Sequence, residues 1–403
     1  MAIKEYLIKN DCICGGNLKN NIKLDKQPLI NVFKRFKTKK FPTIISQCSR
    51  CYLIQLKYSI KDKLIFPKDY SYLSGDSKEK IEDYKDLISK ISFKYKQKKN
   101  KILDIGGNDG SLLQIAKKKG FDVTNIEPTN VYKLSIKKGV KTIKKRFGLN
   151  VANDFIKKGV KFDFIVSTNF FAHTNNLISI LKGTKKILKK NGLLVVEIQY
   201  LYKVLKANGF DSFHQDHKYY YTLNSIKKIL NIFSLNVFDA EFLKYQPEIL
   251  RVYVDQNKRK KTQRCLNLLN NEKDSSLLKK IKKINNFRIK HVSKLKFLIK
   301  KLTKKNKKIY GISASPRGCV LLNSAGLSQN TINMVGEMNG SFKLKKFIPG
   351  TDIKIEDENK IIIDQPNFVI ILAWHLKKRL IKSLKKKGFK GKFIVPLPKI
   401  KIL

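Results

Sequence analysis

One segment constrains the fold of this chain more than any other: Ile102-Leu-Asp-Ile-Gly-Gly-Asn-Asp-Gly110. An apolar run ends in Asp104, a glycine turn follows, and an amphipathic stretch begins near Ser111. That order reads as a buried strand, a tight turn and a helix. Gly106 and Gly110 let the backbone pass close to a ligand and turn without a Cβ clash. A second apolar run, Val123–Ile126, ends in Glu127, seventeen residues after Gly110. Short apolar runs keep alternating with longer amphipathic stretches over residues 76–235. The alternation predicts βαβ units on a doubly wound parallel sheet, with a ligand at the first βα turn.

The side chains around that turn narrow the ligand. A carboxylate at Glu127 accepts hydrogen bonds from both hydroxyls of a ribose. The loop is not G-x-G-x-x-G and has no P-loop lysine, which disfavours a dinucleotide or a nucleoside triphosphate. An acidic residue before the glycines suits a ligand with an amino group and no phosphate. S-adenosyl-L-methionine fits that description. The glycines alone would also suit an ordinary strand–helix turn; Asp104 and Glu127 together favour the cofactor. The candidate cofactor contacts are Asp104, Gly106, Asn108, Gly110, Glu127 and Asn169. Asn169 and His173 follow the apolar run Phe162–Ser167, where a fourth strand would open into the cleft.

The rest of the chain falls into two further blocks. Residues 1–75 are short strands and turns carrying four of the six cysteines: Cys12, Cys14, Cys48 and Cys51. Paired cysteines in a chain with no disulfide density point to a metal, with Zn2+ the natural tenant. Residues 240–403 repeat the α/β alternation, with strands predicted at 308–313, 368–373 and 393–395. A long helix is predicted between, roughly Ser276–Lys305, with Ile281, Ile284, Phe287, Val292, Leu295 and Leu302 on one stripe. The segment Asn208–His217 places His214 and His217 beside Asp211 and Asp216, with Tyr219, Tyr220 and Tyr221 next. Those histidines suit metal ligation or acid–base work, and a polar loop with aromatic packing is the plainer alternative.

Charge needs its own explanation, because 86 Lys+Arg stand against 31 Asp+Glu, a net of +55. A polyanion partner would account for it. Yet the lysines run along the whole chain and Arg is rare, with no clustered Arg stripe or stacking platform. That argues for compositional bias and against nucleic acid, although the surface still attracts anionic substrates. The N-terminus has no apolar signal core and no run spans a bilayer, so a cytoplasmic protein without a membrane span is expected.

The combined motifs resemble the three-domain S-adenosylmethionine-dependent sugar C-methyltransferases over nearly the full length. Cys48-Ser-Arg-Cys51 and the strand after it are similar to the family's second zinc pair, and Pro28–Phe33 to the stretch between its pairs. Asp69-Tyr-Ser-Tyr72, with Ser74 and Ser77, matches its tyrosine–serine segment. Asp104–Gly110 and Glu127-Pro128 match its cofactor site, and Asn169 with Phe171-Ala-His173 matches its Asn…Phe-Ala-His stretch. Phe210–His217 aligns with its Phe-Asp-x-Ile-Tyr-His-Glu-His. Tyr310–Gly318, Leu321-Leu-Asn323, Pro349-Gly-Thr351 and Ala373-Trp-His375 have counterparts in its C-terminal part. The resemblance implies a zinc-binding domain over 1–75, a methyltransferase domain of class I Rossmann-like fold over 76–235, and a second Rossmann-like α/β domain over 240–403.

It also implies a reaction. Family members methylate a carbon beside the keto group of a nucleotide-activated deoxysugar, commonly linked to thymidine diphosphate. The base would be His214, with His217 and His173 donating to an enolate oxygen and Asp216 orienting a partner. Tyr70, Tyr72, Tyr220 and Arg317 would contact substrate, and Cys12, Cys14, Cys48 and Cys51 would hold zinc. Two departures stand out. The first cysteine pair is Cys12-Ile-Cys14, one residue shorter than usual. In the catalytic segment the family's Tyr becomes His214, its first His Gln215 and its Glu Asp216, and only His217 is kept. A changed substrate would fit such departures, and an RNA-associated methyltransferase is the alternative of a different class.

Overall fold

The computed structural model describes residues 5–67, 70, 72–94 and 100–403. It divides into two units, each assembled from separate stretches of chain. The first comprises Met1–Asn21, Ser46–Lys203 and Lys218–Leu277; the second comprises Ile22–Ile45, Val204–His217 and Leu278–Leu403.

The first unit is built on seven strands: β1 (Lys101–Ile105), β2 (Asp122–Ile126), β3 (Lys141–Ile143), β4 (Phe162–Thr168), β5 (Leu188–Gln199), β6 (Asn236–Phe242) and β7 (Ile249–Asp255). They lie in the order β6-β7-β5-β4-β1-β2-β3. β1 to β5 are parallel, and β7 joins β5 antiparallel. Their apolar runs are continuous because both faces are covered. Ile102, Phe164 and Val195 point into one core with Tyr84, Leu87 and Leu113. Leu103, Ile165 and Leu194 point into the other with Leu177, Ile180 and Ile226. That is the period-2 alternation of a strand, read on a sheet with two buried faces. The order reverses between β1 and β4, which makes the carboxyl ends of these strands the ligand crevice.

In the N-terminal part of this unit the strands are short: Tyr6–Ile8 pairs with Tyr58–Ile60, and Ile54–Gln55 with Tyr219–Tyr220. The second unit carries its own sheet: β8 (Ile309–Ile312), β9 (Val335–Glu337), β10 (Ile355–Asp357), β11 (Phe368–Ile371), β12 (Lys392–Val395) and β13 (Lys401–Ile402). Their order is β10-β9-β8-β11-β12-β13, with only β13 antiparallel. The predicted long helix is Leu277–Lys304, with Ile281, Ile284, Val292, Leu295 and Ile299 buried along one face. The α/β class and both Rossmann-like sheets expected from the sequence are present. No helix among the described residues is long and apolar enough to cross a membrane.

Candidate active site

At the carboxyl end of β1 the chain turns through glycines with no room for a side chain. Gly106 and Gly110 have φ of 74° and 73°, which only glycine adopts freely. A Cβ on Gly107 would lie 2.4 Å from Asn125 Oδ1 and 2.7 Å from Asp104 Cγ, and one on Gly110 2.4 Å from Ser135 Oγ. Asn108 takes a left-handed φ of 53°, and its N–H donates to Glu127 Oε2 at 3.2 Å. Its amide also donates to Tyr72 O (2.9 Å) and accepts from the Ser74 N–H (2.9 Å), which ties the tyrosine–serine segment to the turn. Glu127, at the end of β2, accepts from the N–H and hydroxyl of Thr129 at 2.8 and 2.7 Å. Asn169 ends β4 with a φ of 55°, its N–H on the carbonyl of Glu197 (2.9 Å).

Asp104 is 1% exposed, and its Oδ1 has no hydrogen-bond partner among the described residues. Burial lifts its carboxyl to about 8; Lys80 opposes the shift, while Glu197, Glu127 and Asp109 add to it. An unpaired buried carboxylate oxygen at a glycine cradle is the arrangement a cationic amino group would satisfy. The residues present therefore fit S-adenosyl-L-methionine: Asp104 for its ammonium, the glycine backbone for close approach, Glu127 for its ribose.

A buried charge network supports this end of the sheet. Lys80 is buried, and its Nζ donates to the Tyr72 hydroxyl at 3.3 Å. Burial alone would lower its pKa, but Tyr72, Tyr84 and Glu197 outweigh that and raise it. Glu197 on β5 receives the Arg251 Nε at 2.9 Å, and its Oε2 has no hydrogen-bond partner among the described residues. Arg251, fully buried on β7, spends its other nitrogens on Asp86 Oδ2 and the carbonyl of Asp83, both at 2.8 Å.

The histidine segment belongs to the second unit. The His214 and His217 rings lie 4.2 Å apart, tilted by 39°. His214 is 4% exposed, and burial, His217 and Arg317 together hold it well below the ordinary imidazole value. It is therefore neutral near pH 7, while His217 is half-buried. Asp216 accepts from Asn31 Nδ2 at 2.7 Å. Gln215 Nε2 donates to the carbonyl of Pro42 at 2.6 Å. Arg317 binds the Asp211 carboxylate through Nε and Nη2, at 3.0 and 2.7 Å.

The four N-terminal cysteines converge. Cys12 Sγ lies 3.6 Å from Cys51 Sγ, Cys14 Sγ lies 3.3 Å from Cys48 Sγ, and all four sulfurs fall within 4.8 Å of one another. Four thiolates around one tetrahedral zinc at about 2.3 Å stand roughly 3.8 Å apart, so the donor set fits. The short Cys12-x-Cys14 turn closes because Gly15 adopts a φ of 78° and a Cβ on Gly16 would lie 2.7 Å from Cys48 Sγ. The N–H groups of Arg50 and Cys51 point at Cys48 Sγ, at 3.3 and 3.4 Å. As free thiols, Cys51 is raised by its hydrogen bond with Cys12 and then by burial, and Cys48 is lifted to about 11 by burial.

Of the other predicted substrate contacts, Tyr72 is 46% exposed. Tyr70 is half-buried, its ring 5.4 Å from that of Phe66. Tyr220 is buried in the short pairing with Ile54. His173 lies 6.2 Å from the Phe66 ring. Asp69 and Ser71 lie outside the described residues. Sequence reasoning missed Lys80, Glu197 and Arg251. Lys80 did leave a signal: with Asp83, Tyr84, Leu87, Ile88 and Ile91 it forms one 3.6-period stripe, and a lysine on an apolar stripe needs a partner.

Comparison with known proteins agrees with this layout. Residues 77–239 match the methyltransferase domain family, and residues 249–398 match the C-methyltransferase C-terminal domain family. The chain is 24% identical over 378 residues to the C-methyltransferase NovU of Streptomyces niveus, covering 90% of this chain and 88% of that one. It is 31% identical over 111 residues to a ubiquinone biosynthesis O-methyltransferase of Pelagibacter ubique, covering 27% of this chain and 45% of that one. Among solved structures it is similar to an S-adenosylmethionine-dependent methyltransferase from Clostridium acetobutylicum, at TM-score 0.34 and 16% identity over 43% of this chain and 91% of that one. It is also similar to the PH0226 protein of Pyrococcus horikoshii, at TM-score 0.37 and 14% identity over 48% and 98%. With a doubly wound sheet, a glycine turn backed by Asp104 and Glu127, and a methyltransferase domain followed by a C-methyltransferase C-terminal domain, the chain is an S-adenosylmethionine-dependent methyltransferase similar to the C-methyltransferases.

Proposed function

We propose that the enzyme methylates a carbon beside the keto group of a nucleotide-activated deoxysugar, most naturally one linked to thymidine diphosphate. The observation that carries the chemistry is the His214–His217 pair, two imidazoles 4.2 Å apart with the buried one neutral. A neutral imidazole takes the proton that a neighbouring keto group has acidified. In this reading His214 is the base, His217 and His173 donate to the enolate oxygen, and Asp216 orients the segment through Asn31. Asp104, Gly106, Asn108, Gly110, Glu127 and Asn169 hold the cofactor. When bound, S-adenosyl-L-methionine supplies the electrophilic methyl group. Tyr70, Tyr72 and Tyr220 serve the substrate. Cys12, Cys14, Cys48 and Cys51 hold one zinc as a structural centre. Residues 1–75, 76–235 and 240–403 serve as zinc, methyltransferase and C-terminal segments, except that β7 and the chain to Leu277 pack with the methyltransferase sheet.

Purified enzyme given labelled cofactor and a panel of nucleotide-linked 4-keto sugars tests the substrate; label in none of the sugars overturns it. His214→Ala is expected to bind cofactor and lose turnover, and full turnover in that variant overturns the base. Metal analysis is expected to find about one zinc per chain, lost in Cys48→Ser.

A further inference from the structure

The second unit's sheet has its own switch point. Its strand order reverses between β8 and β11, which pair in parallel. The crevice outside the carboxyl ends of two such strands is where an open α/β sheet binds a ligand. One residue from each side reaches into it. Arg317 projects from the first turn of the helix Pro316–Ala325, whose start is fixed by Pro316 and by Ser315 Oγ accepting the Gly318 N–H at 3.1 Å. Trp374 opens the short helix Trp374–Leu376 just beyond β11.

Both converge on one carboxylate of the same unit, that of Asp211. Arg317 grips it bidentately, and the Trp374 Nε1–H donates to Oδ2 at 2.7 Å. The guanidinium also lies 4.4 Å from the Trp374 ring centroid. Asp211 is fully buried, so these charge-assisted bonds are worth more than the same bonds in water. The segment is pinned again further along, by Gln215 on Pro42 and by Asp216 on Asn31. Phe210 packs near Phe287 and His291 of the long helix.

We propose that this crevice is filled by the chain itself: Asp211 stands where a Rossmann-like sheet would take an anionic ligand, and Arg317 and Trp374 are positioning residues for His214 and His217. The C-terminal sheet then works as a clamp on the 210–217 segment, and Arg317 acts through Asp211 without touching substrate. This rests on the reading of His214 and His217 as the acid–base pair.

Arg317→Ala and the shape-conserving Asp211→Asn test it. Hydrogen exchange of the cofactor-free enzyme is expected to speed up about tenfold or more at residues 210–217 in both variants, with β1 to β5 unchanged. Turnover is expected to fall roughly 10- to 100-fold, the cost of about an ångström of misplacement, with cofactor affinity kept. Removing the Arg317 charge lets His214 titrate higher, so the acidic limb of the kcat/KM profile moves to higher pH in Arg317→Ala, and Arg317→Lys reverses part of that shift. Unchanged exchange at 210–217, or unchanged turnover with faster exchange, overturns the proposal. The exchange readout needs no substrate, so it stands apart from the base assignment, which His214→Ala tests.

Discussion

Asp104 sits 1% exposed with Oδ1 unpaired among the described residues, and burial has lifted its carboxyl to about 8. In the unfolded chain an aspartate titrates near 3.9 or so. The folded, cofactor-free enzyme therefore keeps a proton that the unfolded chain gives up. Its contribution to stability is complete below about pH 4 and is lost as pH rises through about 8. A cationic ligand reverses the preference, because it pairs with the ionised form. Cofactor affinity is thus expected to rise about tenfold per pH unit below the Asp104 pKa, with proton release visible by calorimetry in two buffers of different ionisation enthalpy. Asp104→Asn should flatten that dependence and weaken binding by roughly 10- to 100-fold. Affinity independent of pH between about 6 and 9 would remove Asp104 from the site. Asp104, Glu127 and the glycines were legible in the sequence because their signal is local: a strand end, a turn and a fixed spacing. Arg251 was not, since its carboxylate partner Glu197 lies 54 positions away and Asp86 165. Nothing in a window of residues ties such partners together.

At the level of the element, the helix Lys78–Lys94 turns a polar residue into part of the core. Its buried stripe includes Lys80 and Asp83 among Tyr84, Leu87, Ile88 and Ile91. Lys80→Met keeps the volume and removes the cation that opposes the rise in Asp104. The cofactor-linked titration is expected to move to higher pH, and denaturant melts of the cofactor-free variant to show a loss of about 3 kcal/mol, the usual cost of breaking a buried charge arrangement. A titration left in place would show that Lys80 does not act on Asp104. The turn after β1 makes a second test: Gly110→Ala forces φ near 73° on a residue with a Cβ and places it 2.4 Å from Ser135 Oγ. Destabilisation of roughly 1–3 kcal/mol with loss of cofactor binding is expected; a variant that binds normally would mean the turn is not the cradle. Elements with strong periodicity were legible to within a residue, as the helix Leu277–Lys304 shows. The membership of residues 22–45 and 204–217 in the C-terminal unit was not. It is set by contacts such as Gln27 Nε2 on Ser324 Oγ, 297 positions apart, and periodicity carries no record of them.

Taken whole, the molecule carries a charge that local pairing cannot neutralise. With 86 Lys+Arg and 31 Asp+Glu, at least 55 cations lack a carboxylate of their own under any one-to-one pairing. The pairs that do form include exposed ones, such as Lys85 with Glu82 at 2.6 Å and Lys145 with Asp154 at 3.2 Å, and pairs of that kind contribute little. The remainder is repulsion among surface lysines, reaching about 30 Å at 0.01 M salt and about 8 Å at physiological ionic strength. Screening should therefore stabilise the fold. Raising sodium chloride from about 0.01 to 0.15 M is expected to raise the melting temperature by roughly 2–4 °C, the size of a gain of about 1 kcal/mol in a unit this large. The same charge attracts RNA, but lysines spread over the surface make only counterion-release contacts, so that complex should be weak and vanish at moderate salt. If the lysines formed a dedicated nucleic-acid face, binding would persist at about 0.2 M salt and protect a defined stretch of RNA. A melting temperature that stays flat or falls with salt would mean that the repulsion is already relieved within the fold, and the composition would then need a structural explanation in place of a compositional one.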